Sequence, residues 1–198
     1  MTLRRWAGSA GIVTVLGLSL ASCGTDSDDP DASGDTLAVA TSTTREPRST
    51  DESGRPPVLF DPCLDLPDDA IEAAGLDPST EKVSDLTGGE DRTFLTCAYM
   101  DPRVKGVNVI STNTTFEEYV ERDERAQITD ISYADIDGRR AMFNADRHFD
   151  KCVLTVETSF GALTITRDVF GGDTPPGERC AGMDGMMRVF LPYLPVGA

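Results

Sequence analysis

Histidine is almost absent from this chain: His148 is the only one in 198 residues. A Ser-His-Asp site would have to use it, and no Gly-x-Ser-x-Gly elbow is present to pair with it. His148 is therefore expected at a surface or hairpin edge. A zinc site fares no better, because the sequence has no C-x-x-C pair and only His148 to offer beside its cysteines. Basic residues are scarce as well, 18 against 34 acids, for a formal charge of -16. A surplus of that sign disfavours nucleic acid and anionic lipid headgroups, since both carry phosphate. Phosphate cradles are missing too: Thr87-Gly88-Gly89-Glu90-Asp91 has no Lys behind it and no strand–loop–helix frame, so it reads as a turn. Finally, no apolar run is long enough to cross a bilayer core, which needs about 20 residues. No cofactor is implied.

What is present begins at the N-terminus. Arg4 and Arg5 precede an apolar stretch of fourteen residues, Ala7 to Leu20, which fits the h-region of a secretory signal. It closes on Leu20-Ala21-Ser22-Cys23, which resembles the bacterial lipobox, with Leu three before an obligatory Cys. Residues 1–22 are thus read as a lipoprotein signal peptide and Cys23 as the lipidated first residue of the mature chain. Removing Arg4 and Arg5 leaves 16 basic residues against 34 acids, or -18. With that charge, membrane association has to come from acyl chains, of which two or more anchor stably.

Residues 23–57 form an acidic Ser/Thr/Pro-rich tether with hardly a bulky apolar side chain. It cannot bury enough surface to offset its ordering entropy and is expected to be disordered. Asp26-Ser27-Asp28-Asp29-Pro30-Asp31 lacks the glycine and the bidentate glutamate of a calcium loop. The Thr41-Ser42-Thr43-Thr44 run is a candidate for O-linked sugar. Such a tether spans roughly 30–35 Å as a flexible coil.

Residues 58–198 suffice for one domain with one core. The run Leu66 to Leu76 predicts a short helix with acids in its first turn and Gly75 as its stop signal. Phe94 to Met100 alternates, with Leu95, Cys97 and Tyr99 on one side; Val104 to Ser111 is its antiparallel neighbour, carrying Val107 and Val109. Thr115-Phe116-Glu117-Glu118 has capping-box form. The helix it opens shows Phe116, Tyr119 and Val120 on one stripe and the spacing for Glu118–Arg122 and Glu121–Arg125 pairs. Ile131 to Phe143 is a hairpin about Asp137-Gly138. Cys152–Val156 and Leu163–Thr166 make a second one about Phe160-Gly161. Met183, Met186, Met187, Phe190 and Leu194 end the chain at helical spacing, with Gly182 and Gly185 weakening the first turn. The order α-β-β-α-β-β-β-β-α is α+β, a single domain with an antiparallel sheet flanked by helices.

Cys63, Cys97, Cys152 and Cys180 are an even set in an exported chain and read as two disulfides. Of three connectivities the sequential one, Cys63–Cys97 and Cys152–Cys180, is expected, because each bridge then links the start of a segment to a nearby element of opposite type. Oxidation also removes any thiolate nucleophile.

Phe60-Asp61-Pro62-Cys63, Leu66-Pro67-Asp68, Ala73-Ala74-Gly75-Leu76 and Cys97-Ala98-Tyr99 together resemble an uncharacterised family of actinobacterial lipoproteins, the domain of unknown function DUF3558. The later Cys152 leading a strand and Cys180 before a helix ending in Leu194-Pro195 are similar too. Members often carry Trp where Tyr99 stands here. The resemblance covers about Val58 to Pro195. It implies an exported, lipid-anchored envelope protein of a high-GC Gram-positive bacterium with two disulfides, and brings no activity and no catalytic residues. The element order is also similar to the PsbP/Mog1-like sandwich of other mycobacterial lipoproteins.

For function, the first expectation is a non-catalytic binding or accessory module meeting an unknown envelope protein or component at the outer membrane face. The second is a carrier of an apolar small molecule or lipid between the sheet and the C-terminal helix, with Met186, Met187 and Phe190 on the wall; a methionine stripe at this spacing is more often the core face of a terminal helix, and a filled core there would exclude the carrier. The third is a cell-wall hydrolase, for which acids are so abundant that no pair stands out. Arg139 and Arg140, after the Asp137-Gly138 turn, have the chemistry to grip an anionic ligand, but a solvated hairpin tip is the commoner outcome and is expected.

Overall fold

A computed structural model describes residues 54–84, 92–101, 105–127, 129–146, 150–168 and 174–198. It contains one seven-stranded antiparallel sheet with short helices on its faces, an α+β arrangement. The strands are β1 (Asp77–Val83), β2 (Phe94–Asp101), β3 (Lys105–Thr112), β4 (Thr129–Ile136), β5 (Arg139–Asp146), β6 (Lys151–Thr158) and β7 (Gly161–Asp168). The helices are α1 (Pro62–Asp65), α2 (Asp68–Ala73), α3 (Phe116–Ala126), α4 (Pro176–Arg179) and α5 (Met183–Phe190), followed by a 3-10 turn, Leu191–Tyr193.

The sheet order is β1-β2-β3-β7-β6-β5-β4. Two meanders therefore meet at β3 and β7. The chain leaves β3, passes through α3 to the far edge at β4, and zigzags back until β7 pairs with β3. That crossing puts α3 on one face of the sheet, where Phe116 and Tyr119 pack on Met142 and Ala162.

The opposite face is the main core. Tyr99 pairs with Val107 and Cys97 with Val109, continuing through Ile165 to Leu154, so period-2 alternation sends all these side chains to one side. Phe60, Ile71, Met183, Met187 and Phe190 cover them. The face under α3 is richer in hydroxyls. Asn108 donates to Thr166 at 3.0 Å, and Thr155 and Thr164 share a hydrogen bond at 3.3 Å. Most buried polar groups of this kind are paired.

Local signals decide several ends. Gly75 has φ +79; its N–H reaches the Glu72 carbonyl and that of Leu76 reaches Ile71. These two bonds are the Schellman pattern that stops α2. Asp137 and Gly138 both have positive φ, the type I′ geometry that joins twisted strands in two residues. Thr115 caps α3 and Glu118 reaches back to the Thr115 N–H at 2.8 Å, completing the box.

Two sequence expectations need correction. The element order lacked β1, and with it α1 and α4. β1 pairs with β2 across a register shift, is partly exposed throughout and carries Pro78. An edge strand tolerates proline, and with both sides wet it shows no apolar alternation to read. The second hairpin turns at Ser159 and Phe160, one residue earlier than expected, with Thr158 opposite Gly161. Gly161 is needed there because a Cβ would lie 2.4 Å from the Thr112 carbonyl oxygen.

Candidate binding site

The cysteines pair in sequence order. Cys63 and Cys97 stand at disulfide distance, their Cα atoms 5.2 Å apart; Cys152 and Cys180 do likewise at 5.3 Å. The first bridge ties α1 to β2 beneath the core, with the Tyr99 hydroxyl 3.5 Å from the Pro62 carbonyl. The second ties β6 to the segment ahead of α5. Arg179 and Asp150 are buried beside it, joined at 2.6 Å. Burial pushes the Asp150 carboxyl up, but the Arg179 and Thr174 hydrogen bonds outweigh it and hold the group below its ordinary value. This is a clamp on the C-terminal segment.

Met183, Met187 and Phe190 are fully buried in the core, with Met186 nearly so. A cavity of about 400 Å³ does lie between the sheet and the approach to α5, but Ile131, Phe143 and Cys180 line it together with Asp130, Ser132 and Asp184, and the methionines do not. The carrier expectation placed Met186, Met187 and Phe190 there; their place is in the core.

Arg140 is exposed next to the hairpin turn, as expected, but it is not free there. It pairs with Glu117 and Glu157 and lies over the Phe116 ring at 4.8 Å. Its hydrogen bonds hold both glutamates below the usual carboxylate range. Arg139 reaches the Glu157 carbonyl at 3.4 Å. Cys23, the Asp26–Asp31 run, Thr41–Thr44, Thr87–Asp91 and His148 lie outside the described residues.

The site that sequence reading missed runs along α3. Arg92, Phe94, Thr114, Glu118, Tyr119, Glu121, Arg122 and Arg125 line a concavity of about 500 Å³. Three guanidiniums meet there for separate local reasons. Arg92 enters from the start of β2 and donates to Glu118 at 3.1 Å. Arg122 spends its Nε on the buried Asp123 at 2.7 Å and lies over the Tyr119 ring at 4.6 Å. Arg125 takes Glu121 one turn back at 2.6 Å, the i,i+4 pair expected. The expected Glu118–Arg122 pair does not form. Arg55 comes in from outside the helix and binds both Glu118 oxygens at 2.9 Å.

Electrostatics follow from that competition. Hydrogen bonds from Arg55, with Thr115 and the charge of Arg92 adding, hold Glu118 at about 2. Burial pushes the Tyr119 phenol up. The groove's wall thus carries Arg92, Arg122 and Arg125 with Glu118 and Glu121, while Arg55 holds Glu118 and Asp123 holds Arg122. Bases outnumber acids among the lining residues, in a chain where acids dominate.

A family model described as "Protein of unknown function (DUF3558)" matches residues 18–193. No curated protein and no solved structure matches the chain.

Proposed function

The chain belongs to the DUF3558 family, whose function is unknown, and from that premise we propose a lipoprotein of an actinobacterial envelope, anchored through Cys23, whose folded part is a non-catalytic binding module. The observation that carries the binding reading is the α3 groove. It is of ligand size, since such sites measure about 300–1,000 Å³, and it mixes two aromatic rings with three guanidiniums. The matched region begins at residue 18, inside the apolar run, and so takes in Leu20-Ala21-Ser22-Cys23. That inclusion supports the anchor. Helices on both faces of one antiparallel sheet support the finer likeness to the PsbP/Mog1-like sandwich.

Photo-crosslinking tests this reading. A photoreactive residue replacing Ala126, at the groove's rim, should capture one defined envelope component in intact cells, while the same residue at Tyr193 on the C-terminal turn should not. Equal capture from both positions contradicts a groove-centred module. The 400 Å³ cavity beside Phe143 and Cys180 favours a second reading, the carrier of an apolar molecule. Extraction of a stoichiometric lipid from the purified protein is its test.

A further inference from the structure

We propose that the α3 groove is a binding site for a singly charged oxyanion, a carboxylate or a phosphodiester borne on a sugar- or glycerol-sized body. The inference rests on the binding-module reading and names its ligand class. A guanidinium has five N–H donors in a fixed fork that matches such oxyanions two bonds at a time. Arg92 uses a single nitrogen on Glu118. Arg122 uses its Nε on Asp123, leaving both terminal nitrogens. Arg125 gives Nε to the Glu121 carbonyl and one terminal nitrogen to its carboxylate. Among the described residues no other hydrogen bond or ion pair holds these three groups, and their side chains are 39%, 60% and 71% exposed. Their spare donors are therefore open to solution along the wall of one concavity.

Charge selects the ligand's valence. Among the lining residues, Arg92, Arg122 and Arg125 against Glu118 and Glu121 leave one positive charge, enough for a monoanion. A phosphate monoester, at about -1.5 to -2, would overfill it. Phe94 gives the ligand's body an apolar wall, while the Tyr119 ring, covered by Arg122, backs that guanidinium. A singly charged oxyanion has two sources in an envelope, the carboxylate of an acidic sugar or peptide and the phosphodiester of a lipid headgroup or wall polymer.

The test is calorimetric titration of the purified full-length protein with sodium glucuronate and, separately, with glycerophosphoglycerol; glucose and glycerol are the neutral controls. One or both anions should bind with a Kd on the order of 1 mM or tighter, and the neutral probes should not. Glucuronate alone identifies the carboxylate source, and glycerophosphoglycerol alone the phosphodiester source. Arg92→Gln and Arg125→Gln should each weaken binding about tenfold or more, the usual cost of a charged hydrogen bond. Arg188→Gln, whose side chain pairs with Asp137, should bind as the unaltered protein does. Folding of each variant is checked by its urea midpoint. Absence of binding by both anions, or unchanged affinity in folded Arg92→Gln and Arg125→Gln, overturns the proposal. Capture from residue 126 in cells reads the broader binding role separately, so failure here leaves that result standing.

Discussion

Arg55 and Glu118 lie 63 positions apart, yet both terminal nitrogens of the arginine meet both oxygens of the glutamate at 2.9 Å. The pair joins the entrance of the folded domain to the first turn of α3. Glu118 also closes the capping box with Thr115 and holds Arg92 at the groove. One carboxylate thus fixes a helix start, the chain's entry and a wall of the candidate site. Glu118→Ala should cost about 1–3 kcal/mol, combining a lost cap with lost ion pairs. Arg55→Ala should cost less, because the capping box survives. Urea unfolding of both variants checks the order, and a larger loss for Arg55→Ala contradicts it.

The same residue predicts an acid dependence. Glu118 sits at about 2 in the fold against an ordinary 4.5, chiefly through Arg55. A carboxyl depressed by folding stabilises above its unfolded value and loses that contribution as pH falls through the folded one. Its contribution should therefore be complete above about pH 4.5 and nearly gone at about 2. Glu117, Glu157 and Asp150, also lowered, act in the same direction. Glu118→Gln keeps a residue able to complete the capping box but cannot titrate. The stability gap between it and the unaltered protein should narrow as pH drops through this window. A gap that stays constant contradicts the assignment.

Two glycines should respond in opposite senses to alanine. Gly161 has φ +142, and a Cβ there meets the Thr112 carbonyl and the Asn113 backbone below 3 Å. Gly161→Ala should cost about 2–4 kcal/mol. Gly185 lies within α5 with open space around it, so Gly185→Ala should gain up to about 1 kcal/mol. Thermal unfolding of the two variants separates the cases; destabilisation by both contradicts the picture of α5.

Loss of the Cys152–Cys180 bridge, by replacing both residues with alanine, should lower stability by about 3–4 kcal/mol on the loop-entropy model. The effect concentrates on the C-terminal segment that Arg179 and Asp150 also clamp. Non-reducing peptide mapping should recover 63 with 97 and 152 with 180, and a crossed link contradicts the pairing.

Legibility in the sequence followed how local each cause was. The α2 stop at Gly75, the Thr115 box and the Asp137-Gly138 turn are fixed by residues within one turn of each other, and their spacing alone places them. β2 and β3 show their alternation because one face meets the core. β1 does not, since its definition is its pairing with β2 across an irregular register. The groove was hidden for a related reason. Glu118 has Arg122 at the favourable spacing, but Arg55 and Arg92 reach it from distant positions and Asp123 takes Arg122 instead. The partners of Arg140 were hidden likewise, because Glu117 and Glu157 come from α3 and β6. Helical periodicity ranks local partners only; the fold chose the remote ones.

The central claim, attachment of this domain to a membrane through one sulfur, is tested most directly by mass spectrometry of the N-terminal peptide from the native protein. The mature chain should begin at Cys23 and carry at least two acyl chains. A chain that retains residues 1–22, or one that starts elsewhere with Cys23 unmodified, contradicts it.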